Sequence, residues 1–382
     1  MRRGVRIAGV ALVALIAACS SSKARKPAEL KDIANSNLKL DTRWSHSPGA
    51  GDQGLFTGFR IDVEKDALYG ADAKGQVYAL NPSTGATLWK VETGARVISG
   101  PTVGTSQVLV GTLDGEVIAL KRADGKQLWK AQVSSEVLAA PATDGERVIV
   151  KCVDGRLFAL SAADGARLWT FDRSVPNLTL RGLSPPLITG LRVVVGLDNG
   201  HVVALKMADG QLLWDVAVAV PSGRTELERL TDVDASLIEG DDVIYALSFG
   251  GELAALDPAT GQSAWRRGIK SYTGATLVDN LLFVTDNDGV IWALDAKTGG
   301  AAWKQDQLLY RRLSAPTAVM GYVVVGDLDG YVHWLDPHDG KIVARARVGS
   351  DPIASQPVAA EGVLYVANAD GKIAAIAPET KK

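Results

Sequence analysis

One phrase is written seven times along this chain and half-written once: a turn glycine, a short apolar strand ending in Ala-Leu, a second turn glycine and then tryptophan. The first copy runs from Gly75 through Ala79-Leu80 and Gly85 to Trp89. Others run from Gly115 to Trp129, Gly155 to Trp169, Gly200 to Trp214, Gly251 to Trp265 and Gly289 to Trp303. In each the glycines are ten residues apart and the tryptophan lies four beyond. A seventh copy from Gly330 carries Ala344 in the tryptophan position, and an eighth from Gly371 stops near Ile376 because the chain ends. The lead glycines are separated by 40, 40, 45, 51, 38, 41 and 41 residues, the period of one propeller blade. A repeat this regular excludes most folds open to a chain of 382 residues and favours one closed ring over two domains.

Each period reads as four antiparallel strands. In the second copy Gly100–Val103 and Gln107–Leu113 are strands, Asp114-Gly115 is a two-residue hairpin turn whose central residues need positive φ, Glu116–Leu120 is the third strand, and Lys126–Val133 the fourth. The eighth copy lacks a fourth strand, and Leu38–Trp44 looks like a fourth strand without the first three. The fold expected is all-β: an eight-bladed β-propeller of four-stranded antiparallel blades, closed by the N-terminal strand completing the last blade. Closure matters because an unpaired sheet edge is a template for aggregation. Seven of the nine tryptophans, Trp44 included, then occupy one equivalent packing site between blades.

The start of the chain follows a different logic. Arg2, Arg3 and Arg6 precede an apolar run, Ile7–Ala18, too short to span a bilayer as a helix, and Cys19 follows. Residues 1–18 read as a secretory signal peptide, 19–36 as a polar, irregular tether, and 37–382 as the propeller. Loss of the leader takes the formal net charge from −2 to −5 with no basic cluster, which argues against nucleic acid as a partner. Cys152 lies in an apolar run, Val148-Ile149-Val150-Lys151-Cys152-Val153, and reads as a buried free thiol.

Chemistry is sparse. His46, His201, His333 and His338 fall in different repeats with no ligand spacing, so no metal site is expected. Asp286-Asn287-Asp288-Gly289 begins like a calcium loop but coincides with a repeat turn and reads as a hairpin. Nucleophile elbows, phosphate-binding loops and dinucleotide fingerprints are missing, and no cofactor or catalytic residue is predicted.

Function in a repeat protein sits where the period breaks. Trp169 to Trp214 spans 45 residues and Trp214 to Trp265 spans 51, and both excesses fall between the last strand of one blade and the first of the next. They must therefore emerge on one face, on adjacent blades. The first, residues 172–182, places Leu178 and Leu180 two apart, followed by Arg181. The second, residues 221–234, places Asp232 and Asp234 two apart. Apolar anchors beside an arginine and an acidic pair suit a protein contact. The same residues also fit a structural role, with Leu178 and Leu180 starting the inner strand of blade four and Arg181 in a salt bridge.

The repeats resemble the tryptophan-docking repeats of quinoprotein alcohol dehydrogenases over nearly the whole chain. Ile16-Ala17-Ala18-Cys19 resembles the bacterial lipobox, which implies a lipidated Cys19, and Ser20 resembles an outer-membrane address. With the eight-fold count and the segments Leu178-Thr179-Leu180-Arg181-Gly182 and Arg229-Leu230-Thr231-Asp232-Val233-Asp234, the chain most resembles the BamB family, lipoproteins of the outer-membrane β-barrel assembly (BAM) complex. That resemblance implies a non-catalytic scaffold facing the periplasm that binds the periplasmic (POTRA) domains of BamA through Leu178, Leu180, Arg181, Asp232 and Asp234, and assists insertion of outer-membrane proteins. Two alternatives stand beside it. A quinone (PQQ)-dependent dehydrogenase-like propeller would carry adjacent cysteines and acidic calcium ligands, neither of which is found here. A ligand-binding propeller would place aromatic residues at a channel mouth, whereas Tyr272, Tyr310 and Tyr322 are scattered.

Overall fold

A computed structural model describes residues 25–33 and 38–379 except 56, 175, 177, 222, 223 and 226. Residues 1–18, read from the sequence as a signal peptide, lie outside these residues, as do Cys19 and Ser20. Eight sheets form the ring, seven of four strands and one of five. Blades 1 to 7 begin at Asp62, Val97, Ala142, Leu187, Ile238, Gly274 and Thr317. Blade 8 takes three strands from the C-terminal end, Val358–Ala360, Val363–Ala367 and Ile373–Glu379, and its fourth, Lys39–His46, from the N-terminal end. The pairing is antiparallel, with Lys39 opposite Glu379 and His46 opposite Ile373. The two ends of the chain thus close the ring as expected.

The tryptophan works together with the second glycine of the phrase. Trp44, Trp89, Trp129, Trp169, Trp214, Trp265 and Trp303 each donate the indole N–H to a turn carbonyl of the following blade, at 2.7–3.1 Å. The acceptors are Pro82, Arg122, Ala162, Met207, Pro258, Ala296 and Pro337. The turn glycine of that blade lies on the indole face: a Cβ at Gly85 would stand 2.6 Å from the Trp44 ring, and one at Gly125 would stand 2.7 Å from Trp89. Glycine is required there twice over, since Gly85 and Gly125 also have φ of 70° and 73°.

Blade 7 departs from the pattern for a structural reason. Elsewhere an alanine on the third strand faces the tryptophan of the fourth, as Ala79 faces Trp89. In blade 7 the pair is exchanged, with Trp334 opposite Ala344. Blade 8 draws its third and fourth strands from opposite ends of the chain, so it has no turn for a fourth-strand tryptophan to dock on. Trp334 fills the volume from the other strand instead, fully buried and edge-on to Tyr322 at 6.1 Å.

The lead-glycine turns differ from the expected two-residue hairpins. Gly115 has φ of 75°, but Asp114 does not enter the positive region. The turn instead closes from the Gly115 N–H to Thr112 O, and the glycine alone takes the left-handed conformation. Asp286 spends its carboxylate on its own turn, accepting from the Asp288 and Val290 N–H groups at 3.0 and 2.9 Å and from Trp292 Nε1 at 2.9 Å, so this loop is a hairpin. Cys152 is a buried free thiol, and burial pushes its pKa up.

Candidate functional site

Both long connections emerge on the face that carries the lead-glycine turns. The first runs from Phe171 to Leu187 and the second from Ala217 to Ile238. Blade 4 begins at Leu187, so Leu178 and Leu180 precede its inner strand rather than forming it. Leu178 is 47 % exposed, on a connection rather than on the outer strand of a blade. Leu180 turns inward, half-buried. Arg181 points outward and meets Glu136 at 3.1 Å, an exposed pair that contributes little to stability. Its φ is 61°, a strained conformation for a residue with a Cβ, and its N–H donates to Thr179 Oγ1 at 3.1 Å.

Beneath Leu180 lies a charged cluster contributed by three elements. The Leu180 N–H donates to a carboxylate oxygen of Asp232 and so fastens one long connection to the other. Asp232 is fully buried, and its own carbonyl accepts from the Phe249 N–H at 3.0 Å. Lys151, 4 % exposed, donates to Asp198 Oδ1 at 3.0 Å and to Gly196 O at 2.9 Å. A Cβ on Gly182 would lie 2.6 Å from Asp234 and 3.0 Å from Asp198, so the 178–182 segment lies directly over these acids.

The cluster is short of donors. One oxygen of Asp232 and both of Asp234 are buried without a hydrogen-bond partner among the described residues. Burial pushes Asp234 up to about 7, and the neighbouring Asp232 charge adds to the rise. Asp232 is pushed up to about 6, again chiefly by burial, against the Leu180 N–H that favours its ionised form. Groups arranged this way cost stability in the free protein and gain when a donor or cation arrives.

Leu180 and Asp234 also border the mouth of the central channel, a cavity of about 570 Å³. Phe59, Tyr78, Phe249 and Tyr272 line it as well. Its inner wall includes Gly58–Phe59, which pairs in parallel with Val97–Val103 as a fifth strand of the blade 2 sheet. Of the three tyrosines weighed from the sequence, Tyr272 alone borders the channel. Tyr310 stacks under Arg25 and Tyr322 packs on Trp334.

All five residues singled out by period counting are thus on one face. Leu178 and Arg181 are presented outward, while Leu180, Asp232 and Asp234 converge beneath them. Sequence reasoning does not reach Lys151, Asp198 or Glu136. A signal existed for Lys151: four residues before the lead glycine the other copies carry Ala71, Gly111, Gly196, Leu247, Thr285, Gly326 and Ala367, and a lysine inside a β-branched run is out of place.

Fold and face together define a closed, tryptophan-docked propeller whose elaboration is confined to loops on one side. The family described as outer membrane protein assembly factor BamB matches residues 73–305 and 308–382. The chain belongs to this BamB family of outer membrane protein assembly factors. It is 43 % identical to the BamB of Pseudomonas aeruginosa over 96 % of this chain and 97 % of that one. It is 33 % identical to the BamB of Escherichia coli K12 over 98 % of this chain and 99 % of that one. The crystal structure of BamB from Moraxella catarrhalis superposes with a TM-score of 0.81 at 27 % identity, covering 89 % of this chain and all of the other. A europium-containing methanol dehydrogenase superposes with a TM-score of 0.74 at 15 % identity over 88 % of this chain and 93 % of that one, a likeness of fold alone.

Proposed function

We propose that this chain is a non-catalytic scaffold lipoprotein, held by lipid on Cys19 at the periplasmic side of the outer membrane, whose loop face docks the periplasmic POTRA domains of BamA. The observation that carries this reading is the pair of connections tied by the Leu180 N–H to Asp232, which present exposed Leu178 and strained Arg181 above three carboxylate oxygens of Asp232 and Asp234 that lack a donor among the described residues. Leu178 supplies an apolar anchor and Arg181 a pairing group for a carboxylate. Asp232 holds the Leu180 segment in place, and Asp234, at the cavity mouth, takes a donor or cation from the partner, which relieves the cost of its burial. None of these steps needs a covalent intermediate.

A pull-down of the soluble ring, residues 20–382, with BamA periplasmic domains tests the reading. Leu178→Ala and Arg181→Ala should each leave the unfolding midpoint nearly unchanged, since surface substitutions stay within about 0.5 kcal/mol. Each should weaken capture about tenfold or more, the range of an interface anchor worth about 1.4 kcal/mol. A collapse of stability would instead assign both residues to the core. Undiminished capture would remove them from the interface.

A further inference from the structure

The N-terminal segment before the ring does not hang free. Residues 25–33 lie along blades 6 and 7, starting on the same face as the two long connections. Arg25 pairs with Asp288 and stacks at 5.3 Å over the Tyr310 ring. The Ala28 N–H donates to Leu309 O at 2.9 Å, and Leu30 packs on the apolar cluster of Phe283, Leu308 and Leu313.

Blade 7 is built to receive this segment. Arg311, 4 % exposed, donates from Nη1 to Ala28 O at 2.9 Å and from Nε to Asp327 at 2.7 Å. The same Asp327 oxygen meets His333 Nε2 at 2.8 Å. On the other side of the imidazole, Arg345 Nε donates to His333 Nδ1 at 3.1 Å and Arg345 Nη1 donates to Lys31 O at 3.3 Å. Because Nδ1 accepts, Nε2 carries the proton and the ring is neutral, in keeping with burial that holds its pKa below the ordinary value. Two carbonyls of the segment, Ala28 and Lys31, are therefore gripped by arginines joined through a buried Asp–His pair. Other blades place Tyr78, Ile118, Phe158 or Val203 where blade 7 has His333, so the polar relay is not part of the repeat.

We infer that residues 25–33 are a docked strap, that Arg311, Asp327, His333 and Arg345 form its receptor, and that the strap fixes the orientation of the loop face to the membrane. The orienting role rests on lipidation of Cys19 as proposed above. Five residues separate Cys19 from Arg25, and the six residue steps between them span at most about 20 Å when fully extended. The lipid therefore enters beside the 6/7 blade boundary of the loop face, and the protein cannot swing through the full reach of an 18-residue leash.

The test uses the full lipidated chain in its membrane, with hydrogen exchange on the peptide covering residues 26–33 and energy transfer from a dye on Ser350→Cys to acceptor lipids. Ser350 is exposed on the loop face, and buried Cys152 stays unlabelled. The wild-type strap should exchange about tenfold or more slowly than free chain, and Leu30→Asp should bring it to the free rate with ring peptides unchanged. Ala28→Pro, which removes the N–H given to Leu309, should act the same way. In both variants the dye-to-bilayer distance should lengthen and broaden. A wild-type strap exchanging at the free-chain rate overturns the docking. Protected exchange with equal distances in wild type and variants overturns the orienting role. Recovery of the chain in the soluble fraction overturns lipidation and the orienting role with it, and the exchange result on that soluble chain still decides the docking.

Discussion

Replacing Asp234 with asparagine is expected to strengthen the fold and weaken the partner site at once. Its carboxyl is raised from 3.8 to about 7 by burial and by the neighbouring Asp232 charge. A carboxyl raised in the folded state contributes stability that is fully present below its unfolded value and is lost as pH rises through the folded one. The wild-type ring should therefore lose stability between about pH 4 and pH 7, while Asp234→Asn should lose less over that window, keeping only the part that the raised carboxyl of Asp232 contributes. With solvent screening on its partly exposed side, the difference at pH 8 should be about 2 kcal/mol in favour of the variant. Denaturant midpoints for both proteins at pH 4.5 and pH 8 check this. Coincident pH profiles would show that Asp234 titrates as an ordinary surface acid. On the docking proposed above, the same variant removes a charge from the partner site, so its capture of BamA periplasmic domains should fall although the ring is more stable. Ordinary structural residues lose both together.

Trp44→Ala should be the most damaging of the seven equivalent tryptophan replacements. Each loses a packed indole, about 3–5 kcal/mol for a large aromatic in a core. Trp44 also donates to Pro82 O at 2.7 Å, lies over Gly85 and packs 6.1 Å from Tyr365. The other six sit on strands joined by turns on both sides, whereas Lys39–His46 is joined to its blade by no turn at all. Weakening it lets the strand leave, opens the ring and exposes the Ile373–Glu379 edge. Limited proteolysis should release the N-terminal strand from Trp44→Ala and leave Trp169→Ala intact under the same conditions. Equal resistance of the two would show that closure does not depend on this contact.

The ring was legible in the sequence because its period is enforced at two positions by hard geometry. The second glycine has no room for a Cβ, and the tryptophan must reach a carbonyl on the next blade. The Trp334 and Ala344 exchange was visible only as a missing tryptophan, since its cause lies in the neighbouring blade's broken connectivity. At the site, period counting found the two connections, but the Lys151 to Asp198 contact joins residues 47 apart and only the stacking of blade 3 on blade 4 brings them together. The strap was not legible, because its arginine contacts fall on backbone carbonyls and its Arg25 and Leu30 contacts join residues more than 250 apart.

The docking of BamA on the loop face is tested most directly by a photo-crosslinking residue placed at Leu178 in cells, beside one at Ser83 on the opposite face. Leu178 is exposed and lies above the acidic pair, while Ser83 sits in the turn between the third and fourth strands of blade 1. The account predicts a crosslink from position 178 to a periplasmic domain of BamA, lost on adding Asp232→Ala, and none from position 83. A BamA crosslink from position 83 with none from position 178 would contradict it.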